Sequence, residues 1–287
     1  MADFYLAPGT AAAELAGVSG AEGLLAWAEG VAAAAPPERV YRRREGRVTL
    51  RFAMAGRSYF LKLHRGVGWR EICKNLVQLR LPVVSASNEY RAVTALRQLG
   101  VDTLTVTAYA RRGCNPARRH SLLVTEDLAA TVSLEDYCAA WARRPPPPRE
   151  RLLLVHKLAD SARRMHAAGI NHRDFYLCHF HLDPASLREG APRCYLIDLH
   201  RAQLRRATPL RWRIKDLAGL YFSALDCGLG RRDLLRFMRC YSVGGLAQAL
   251  GPDRDMWLQV ARRAVQLYRR SHGLRPPGSW VPDALRG

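Results

Sequence analysis

The chain has 287 residues, of which 48% are hydrophobic, so it can bury a substantial core in one bilobal domain or in two small domains. That composition excludes a disordered or fibrous chain. The formal net charge of +20 favours anionic partners such as nucleic acid, lipid headgroups or phosphorylated glycans.

Cysteine usage and the absence of a leader indicate the compartment. The seven cysteines are scattered and form no CxxC pair, which is typical of reduced thiols in the cytosol. Residues 1–38 contain no Lys or Arg, so the positive region of a secretory signal peptide is missing. No apolar run reaches the roughly 18–20 residues of a membrane span. We therefore expect a cytoplasmic protein, with contact to a membrane surface at most.

The first elements in chain order are a helix and a hairpin. Residues 1–38 form a predicted N-terminal extension. Within it, the Ala-rich residues 10–35 predict a helix, and this helix ends before Pro36-Pro37. Apolar alternation then predicts a strand over residues 48–54, and residues 59–63 predict its hairpin partner. Lys62 lies inside the second strand, where a buried ammonium requires a nearby anion. Lys62 is either an edge lysine that reaches water or a lysine directed at nucleotide phosphates.

One principal helix accompanies these strands. It is predicted over residues 88–99 and ends at Gly100. Glu89 in its first turn either complements the helix dipole or holds Lys62. Two further strands are predicted over residues 101–110 and 120–125, and the second leads into a connector at Glu126 to Leu128. Residues 39–127 therefore predict a β-rich N-terminal lobe.

Helical patterns dominate the rest of the chain and predict a helical C-terminal lobe over residues 128–287. The predicted helices cover residues 133–143, 149–168, 215–225, 231–241 and 254–270. Between the second and third of these, Asp174 and Asp198 each follow a short apolar stretch that predicts a strand. Two aspartates at the tips of short strands indicate phosphoryl transfer, in which one positions a hydroxyl and the other binds Mg²⁺.

The order of these parts resembles that of protein kinases. A strand lysine, a helix glutamate, a connector, the literal HRD tripeptide His172-Arg173-Asp174 and a later aspartate follow one another in the kinase order. The fold class that this resemblance implies is α+β, with a bilobal protein-kinase-like fold. It consists of a small β-rich N-lobe with one principal helix and a larger, mainly helical C-lobe.

Further motifs narrow the resemblance to one family. Four motifs resemble the lipopolysaccharide core heptose(I) kinase family, over roughly residues 40–270. They are Tyr59-Phe60 with Lys62, Gly68-Trp69, Ile197-Asp198-Leu199-His200-Arg201-Ala202, and Lys215-Asp216-Leu217-Ala218. The resemblance implies ATP-dependent phosphorylation of the first heptose of the lipopolysaccharide inner core, at O4, on the cytoplasmic side of a Gram-negative inner membrane. It also implies an association with acyl carrier protein.

Roles follow for the candidate residues on that resemblance. Lys62 neutralises the α- and β-phosphates of ATP and Glu89 fixes its position, while the backbone from Glu126 to Leu128 takes the adenine. Asp198 binds Mg²⁺, and Asp174 accepts a hydrogen bond from the sugar hydroxyl and orients it.

His179 and His200 depart from the kinase pattern, and Asp216 has two possible roles. His179 stands where the HRD loop usually carries an asparagine metal ligand. Because neutral imidazole is a poor Mg²⁺ ligand, either one metal suffices or His179 has another role. His200 replaces the glycine that usually follows the metal-binding aspartate by two positions. Asp216 either accepts hydrogen bonds from the catalytic-loop backbone or lies near a helix N-terminus.

Several alternatives stay open at this point. The acceptor could be another inner-core sugar, heptose II or Kdo, and the chain could be an inactive kinase-like scaffold. A basic nucleic-acid-binding protein also fits the charge, although no recognised binding module is present. A metal site built from His172, His179 and His181 with Cys178 matches no zinc signature.

Overall fold

The computed structural model describes residues 3–9, 15, 17–44, 46–77, 83–274 and 276. The chain forms two compact units, the first from residues 1–95 and 104–129 and the second from residues 96–103 and 130–287. Residues 277–287 and most of the Ala-rich residues 10–16 lie outside the described residues.

The first unit contains a six-stranded antiparallel sheet with the order β1-β5-β6-β4-β3-β2. Buried and exposed side chains alternate along the first half of β3, as the apolar alternation predicts. The predicted hairpin is β3–β4, and its turn places Ala55 and Gly56 at positive φ. The strands are β1 Phe4–Leu6, β2 Val40–Arg44, β3 Arg47–Met54, β4 Arg57–Arg65, β5 Val106–Arg112 and β6 His120–Glu126.

Three helices belong wholly or mostly to the first unit: α1 Gly20–Ala34, α2 Gly68–Val77 and α3 Ser87–Gln98. The buried face of α1 packs into the same core as the sheet residues Leu50 and Leu61. That face consists of Leu24, Leu25, Ala28 and Ala32. The predicted extension over residues 1–38 is thus grouped with the sheet in the structure, because its apolar stripe closes one face of the sheet.

Two strand predictions differ from the structure. The strand β2 was not expected, because its run of arginines hides the period of two. The strand predicted over residues 101–110 begins only at Val106. Residues 101–103 instead belong to the second unit, where Thr103 forms an isolated parallel bridge with Leu196 and donates a hydrogen bond to its carbonyl oxygen at 2.6 Å.

The second unit is mainly helical and holds two small antiparallel sheets, one in the order β10-β9-β7 and one pairing β8 with β11. The strands are β7 Val132–Ser133, β8 Ile170–Asn171, β9 Phe180–Leu182, β10 Cys194–Leu196 and β11 Gln203–Leu204. The helices are α4 Leu134–Cys138, α5 Pro148–Ala167, α6 Pro184–Arg188, α7 Leu210–Ala224, α8 Arg231–Tyr241, α9 Gly245–Leu250 and α10 Arg254–His272.

Two predicted helix boundaries in this unit are wrong. The helix predicted over residues 133–143 ends at Cys138 and continues as turns, because the following prolines disfavour helix in the residues that precede them. The helix predicted over residues 215–225 begins at Leu210, directly after Pro209. Arg211 and Arg213 therefore lie in its first turns.

The second unit also encloses an apolar cavity of about 310 Å³. Its lining includes Leu154, Leu158, Leu220, Phe237, Trp257 and Leu258. Neither Asp174 nor Asp198 belongs to that lining, so the cavity does not contain the predicted phosphoryl-transfer residues. Among the described helices, none combines the length and apolar character needed to cross a membrane.

Candidate active site

Lys62 and Glu89 form an ion pair within the first unit. Nζ of Lys62 lies 2.5 Å from Oε1 of Glu89, whose side chain is only 2% exposed. Lys62 lies on β4, which pairs with β3 on one side and β6 on the other, so the edge-lysine reading is wrong. Glu89 projects from the first turn of α3. A partly buried ammonium held by a buried carboxylate has a fixed position, which suits a lysine that neutralises phosphate oxygens.

The connector predicted to contact adenine begins at the end of β6. The amide of Glu126 donates to the carbonyl oxygen of Thr105 at 2.9 Å, and the amide of Asp127 donates to that of Ser58 at 3.0 Å. The side chain of Glu126 forms an ion pair with Arg57 at 2.9 Å. The amides of Glu126 and Asp127 therefore already donate hydrogen bonds within the first unit, and Leu128 is the next residue in the chain.

The loop that carries Asp174 is anchored at its start by Gly169, which ends α5 with φ of +78°. A Cβ atom at this position would lie 1.9 Å from the carbonyl oxygen of Arg205, so only glycine permits the approach. The amide of Arg205 donates to the carbonyl oxygen of Gly169 at 2.9 Å. This contact, together with the β8–β11 pair, fixes the strand from which the loop emerges.

Asp216 on α7 fixes the loop itself. Its side chain is fully buried, and its carboxylate accepts the amides of His172 at 2.6 Å and of Arg173 at 2.8 Å. Arg173 has φ of +80°, a left-handed backbone that side chains other than glycine rarely adopt. Two charge-assisted hydrogen bonds hold this conformation. Of the two readings of Asp216, the structure has the one in which it supports the catalytic-loop backbone.

Asp174 receives a guanidinium that sequence reasoning missed. Nη1 of Arg201 lies 3.0 Å from Oδ1 and 2.9 Å from Oδ2 of Asp174. Arg201 closes a 3₁₀ turn that begins directly after Asp198, so it is the third residue after the second aspartate. The spacing of three residues between Asp198 and Arg201 is visible in the sequence. The direction of Arg201 toward Asp174, however, depends on the left-handed backbone of Asp198, whose φ is +61°.

Asp198 faces two imidazoles. Nδ1 of His200 lies 2.5 Å from Oδ1 of Asp198, and Nε2 of His179 lies 3.6 Å from Oδ2. Nδ1 of His179 donates to the carbonyl oxygen of Asp174 at 2.7 Å, since a carbonyl only accepts. Nε2 is therefore the ring nitrogen of His179 that faces the Asp198 carboxylate. His179 thus contacts both predicted aspartates.

His172 joins the two loops as a neutral ring. Its Nε2 donates to the carbonyl oxygen of Ile197 at 2.9 Å, and its Nδ1 accepts the amide of Asp174 at 3.3 Å. Complete burial lowers the pKa of His172, because the interior disfavours the charged ring. The neutral ring can make both hydrogen bonds, whereas the protonated ring would lose the one at Nδ1.

The alternative metal site of three histidines and Cys178 is not formed. His172 and His179 bond to backbone carbonyls, and Nδ1 of His181 lies 3.2 Å from the hydroxyl of Thr131. Across the described part of the chain, no group of three or more His, Cys, Asp or Glu side chains is arranged to hold a metal ion. The reading of these residues as a zinc site is therefore wrong.

The donor set at Asp198 nevertheless fits Mg²⁺. This ion is usually held by one or two carboxylates together with substrate phosphates and water, and not by a cage of protein ligands. Asp198 supplies one carboxylate, and its side chain is 35% exposed. The residues present therefore fit a metal that arrives with a nucleotide.

Comparison with known proteins gives consistent results. The model of the "Lipopolysaccharide kinase (Kdo/WaaP) family" matches residues 32–241. A protein of Pseudomonas aeruginosa named "Lipopolysaccharide core heptose(I) kinase WaaP" is 52% identical over 235 residues, which is 81% of this chain and 87% of that protein. A protein of the same name from Escherichia coli is 49% identical over 233 residues, which is 81% of this chain and 88% of that protein.

A solved structure is also similar. Its title is "WaaP in complex with acyl carrier protein", and it matches with a TM-score of 0.75 and 42% sequence identity. The match covers 92% of this chain and 99% of that chain. At this identity and coverage, the similarity extends over most of the chain.

Proposed function

The chain belongs to the lipopolysaccharide kinase (Kdo/WaaP) family, and we propose that it transfers the γ-phosphoryl group of ATP to O4 of the first heptose of the lipopolysaccharide inner core. The observation that carries this proposal is the pair of aspartates on adjacent loops of the second unit. Asp174 and Asp198 are linked through His179, whose two ring nitrogens face the Asp174 carbonyl and the Asp198 carboxylate. This supports one carboxylate for the hydroxyl and one for the metal.

Each residue has one task in this proposal. Lys62, held by Glu89, binds the α- and β-phosphates, and the backbone from Glu126 to Leu128 binds the adenine. Because the amides of Glu126 and Asp127 donate within the fold, we expect carbonyl oxygens of the connector to accept hydrogen bonds from the adenine. Asp198 holds Mg²⁺, with His179 beside it. Bound there, Mg²⁺ neutralises phosphate charge.

Asp174 acts on the acceptor. Its carboxylate accepts a hydrogen bond from the sugar hydroxyl and orients the oxygen for in-line attack on the γ-phosphorus. A new bond forms between that oxygen and phosphorus as the bond from phosphorus to the β,γ-bridging oxygen breaks, and ADP leaves. The hydroxyl proton passes to Asp174. Arg201 holds the carboxylate in position before the acceptor arrives.

The choice of sugar is the first point for experiment. The family description also names Kdo, so a Kdo or second-heptose acceptor is the competing function. Incubation of the purified chain with ATP and dephosphorylated core oligosaccharide, followed by mass spectrometry of the products, locates the new phosphate. A phosphate on heptose I supports the proposal, and a phosphate on Kdo or heptose II replaces it with the competing function.

Asp174→Asn tests the proposed base in the same assay. We expect the rate to fall at least about 100-fold, the usual contribution of a positioned general base. Asp160→Asn is the matched control, because Asp160 pairs with Arg163 and Arg164 on the surface of α5. Full activity of Asp174→Asn would remove Asp174 from the mechanism, and failure of the unaltered chain to bind Mg-ATP would favour a scaffold.

Location and partner are part of the proposal. Because ATP is a cytoplasmic substrate, the reaction takes place on the cytoplasmic face of the inner membrane, where the net charge of +20 favours contact with anionic lipid. We also propose acyl carrier protein as a partner, on the strength of the similar solved structure. Native mass spectrometry of the tagged chain purified from its own cells tests this, because a bound carrier adds a defined mass.

A further inference from the structure

Four cations surround the indole ring of Trp212 on the first turn of α7. The guanidinium carbons of Arg173, Arg205 and Arg211 lie 5.4, 5.7 and 5.6 Å from the ring centroid, and Nζ of Lys215 lies 5.3 Å from it. These distances are those of cation–π contacts, which fix the direction of otherwise flexible side chains. We call Trp212 and these four residues the Trp212 cluster.

The cluster carries more positive than negative charge. Within the described residues, none of its four cations forms an ion pair with a carboxylate. Arg205 is hydrogen-bonded to the side chains of Asn171 at 2.5 Å and Gln203 at 2.6 Å, which carry no charge. The nearby Asp174 is shared with Arg201, and both oxygens of Asp216 accept loop amides. Among the described residues, the four cations of the cluster therefore outnumber the nearby carboxylates of Asp174 and Asp216, and neither carboxylate is paired with them.

Partial burial makes this excess charge unfavourable. Lys215 and Arg173 are both partly buried, and desolvation lowers the pKa of each, with the neighbouring guanidinium groups adding to the effect. A surface patch kept for solubility would hold its charges apart and in water. Here like charges are concentrated and desolvated, which is the arrangement of a site that binds an anion.

Two donors in the cluster are left without an acceptor. Nε of Arg173 and Nε1 of Trp212 are buried and make no hydrogen bond within the described residues. Buried donors without partners are rare in folded proteins and often mark a site for a ligand or a water molecule. Both are N–H groups, so the missing partner is an acceptor.

We propose that Arg173, Arg211 and Lys215 of the Trp212 cluster form a subsite for an oxyanion, a carboxylate or a phosphate, that the acceptor carries beside the hydroxyl bound by Asp174. This inference rests on the proposed function and adds a determinant of acceptor specificity. Guanidinium and ammonium groups match oxyanions in charge and geometry. The ring of Trp212 is contacted by these cations and holds their side chains in place.

The position of the cluster assigns it to the acceptor. Arg173 precedes Asp174 in sequence, and the charges of Asp174 and Arg201 act on Lys215. Asp198, the residue assigned to the metal and the nucleotide phosphates, is instead engaged by His179 and His200. The subsite therefore adjoins the carboxylate that receives the acceptor hydroxyl.

The first test separates acceptor from nucleotide. We expect Lys215→Gln to raise the KM for core oligosaccharide about tenfold or more, while the KM for ATP stays within about twofold. Arg211→Gln, at an exposed position, is a second variant whose folding is not at issue. Lys74→Gln is the matched control, since Lys74 is an exposed lysine paired with Glu71 on α2.

The second test identifies the anion. Three acceptors are compared: intact core oligosaccharide, the same sugar with phosphates removed, and the same sugar with carboxylates reduced to alcohols. One treatment should raise the KM of the unaltered chain, and Lys215→Gln should then add nothing further on that acceptor, because the two changes remove one interaction. Equal effects of Lys215→Gln on all three acceptors, or an effect on ATP alone, would overturn the proposal.

Failure of the proposed function is distinguishable from failure of the subsite. If the unaltered chain phosphorylates no inner-core acceptor, the proposed function fails and the subsite is tested with inorganic phosphate alone. Phosphate should raise the Tm of the unaltered chain and of Lys74→Gln more than that of Lys215→Gln or Arg211→Gln. Equal rises in all four proteins would refute an anion site at the Trp212 cluster.

Discussion

Nη1 of Arg201 lies within 3.0 Å of both carboxylate oxygens of Asp174, so a single N–H-bearing nitrogen spans the proposed catalytic carboxylate. A guanidinium that bonds to both oxygens restricts rotation of the carboxylate. It leaves the remaining lone pairs of both oxygens for other donors, because an ionised carboxylate has about four acceptor sites. The contact therefore prepares Asp174 without blocking it.

Replacing Arg201 tests this positioning role. We expect Arg201→Gln to lower kcat roughly 10- to 100-fold, the usual effect of a small misplacement of a reacting group, with the KM for ATP nearly unchanged. Arg201→Lys should recover part of the loss because it restores the charge. Steady-state kinetics of both variants give the answer. A change confined to the KM for ATP would instead place Arg201 at the nucleotide.

Asp216 provides a second prediction, on stability. Its buried carboxylate accepts two backbone amides, and hydrogen bonds to charged groups contribute about 1.5–3 kcal/mol each. Asp216→Ala should therefore lower the free energy of unfolding by about 3 kcal/mol or more, as measured by urea denaturation. It should also lower kcat, because Arg173 would relax from its positive φ and displace Asp174. Unchanged stability would show that the loop holds its conformation without Asp216.

The parts of the site that the sequence predicts are those with a fixed order in the chain. Lys62 lies in a strand, Glu89 lies in a helix, and Asp174 and Asp198 each follow a strand. The order of these elements in the chain identifies their partners. The predicted contact of Glu89 with Lys62 is present in the structure at 2.5 Å. The hairpin and the helices near residues 149–168, 231–241 and 254–270 were predicted with small errors at their ends.

Contacts that depend on unusual backbone conformations were not predicted. The direction of Arg201 follows from the left-handed backbone at Asp198, and that of Arg173 from its own positive φ. Arginine rarely adopts this conformation, and aspartate adopts it more often but not regularly enough for the sequence to predict it. The start of α7 was also not predicted. Its first turns are rich in arginine, and the contacts of these cations with the ring of Trp212 are visible only in the structure.

His172 gives a prediction on pH. The fold lowers its pKa below the ordinary 6.5, so the folded chain keeps the ring neutral while the unfolded chain takes up a proton as the pH falls through about 6.5. The unfolded state then binds more protons, so the stability present above this pH is lost as the pH falls. One proton corresponds to at most about 1.4 kcal/mol per pH unit.

Urea denaturation between pH 7.5 and pH 5.5 measures this slope. His172→Gln should unfold with a smaller loss of stability per pH unit than the unaltered chain, although its stability at pH 7.5 is lower because the bond to Ile197 is weakened. His120→Gln is the control, since His120 is exposed on β6 and should leave the slope unchanged. An identical slope in His172→Gln would assign the pH dependence to other groups.

His179 gives the last prediction, on metal preference. Its Nε2 faces the Asp198 carboxylate at 3.6 Å, at the position where kinases usually carry an asparagine oxygen. Imidazole is a borderline ligand that suits transition metals, whereas an amide oxygen is a hard ligand that suits Mg²⁺.

If His179 contacts the metal, the ratio of the affinity for Mn²⁺ to the affinity for Mg²⁺ should be higher in the unaltered chain than in His179→Asn. The concentrations of each ion that give half-maximal activity in the two proteins provide this ratio, and we expect it to shift toward Mg²⁺ roughly threefold or more. His181→Asn is the matched control, because His181 bonds to Thr131 and not to either aspartate. A ratio that is the same in all three proteins would show that His179 only braces the carbonyl oxygen of Asp174, in which case kcat alone would fall.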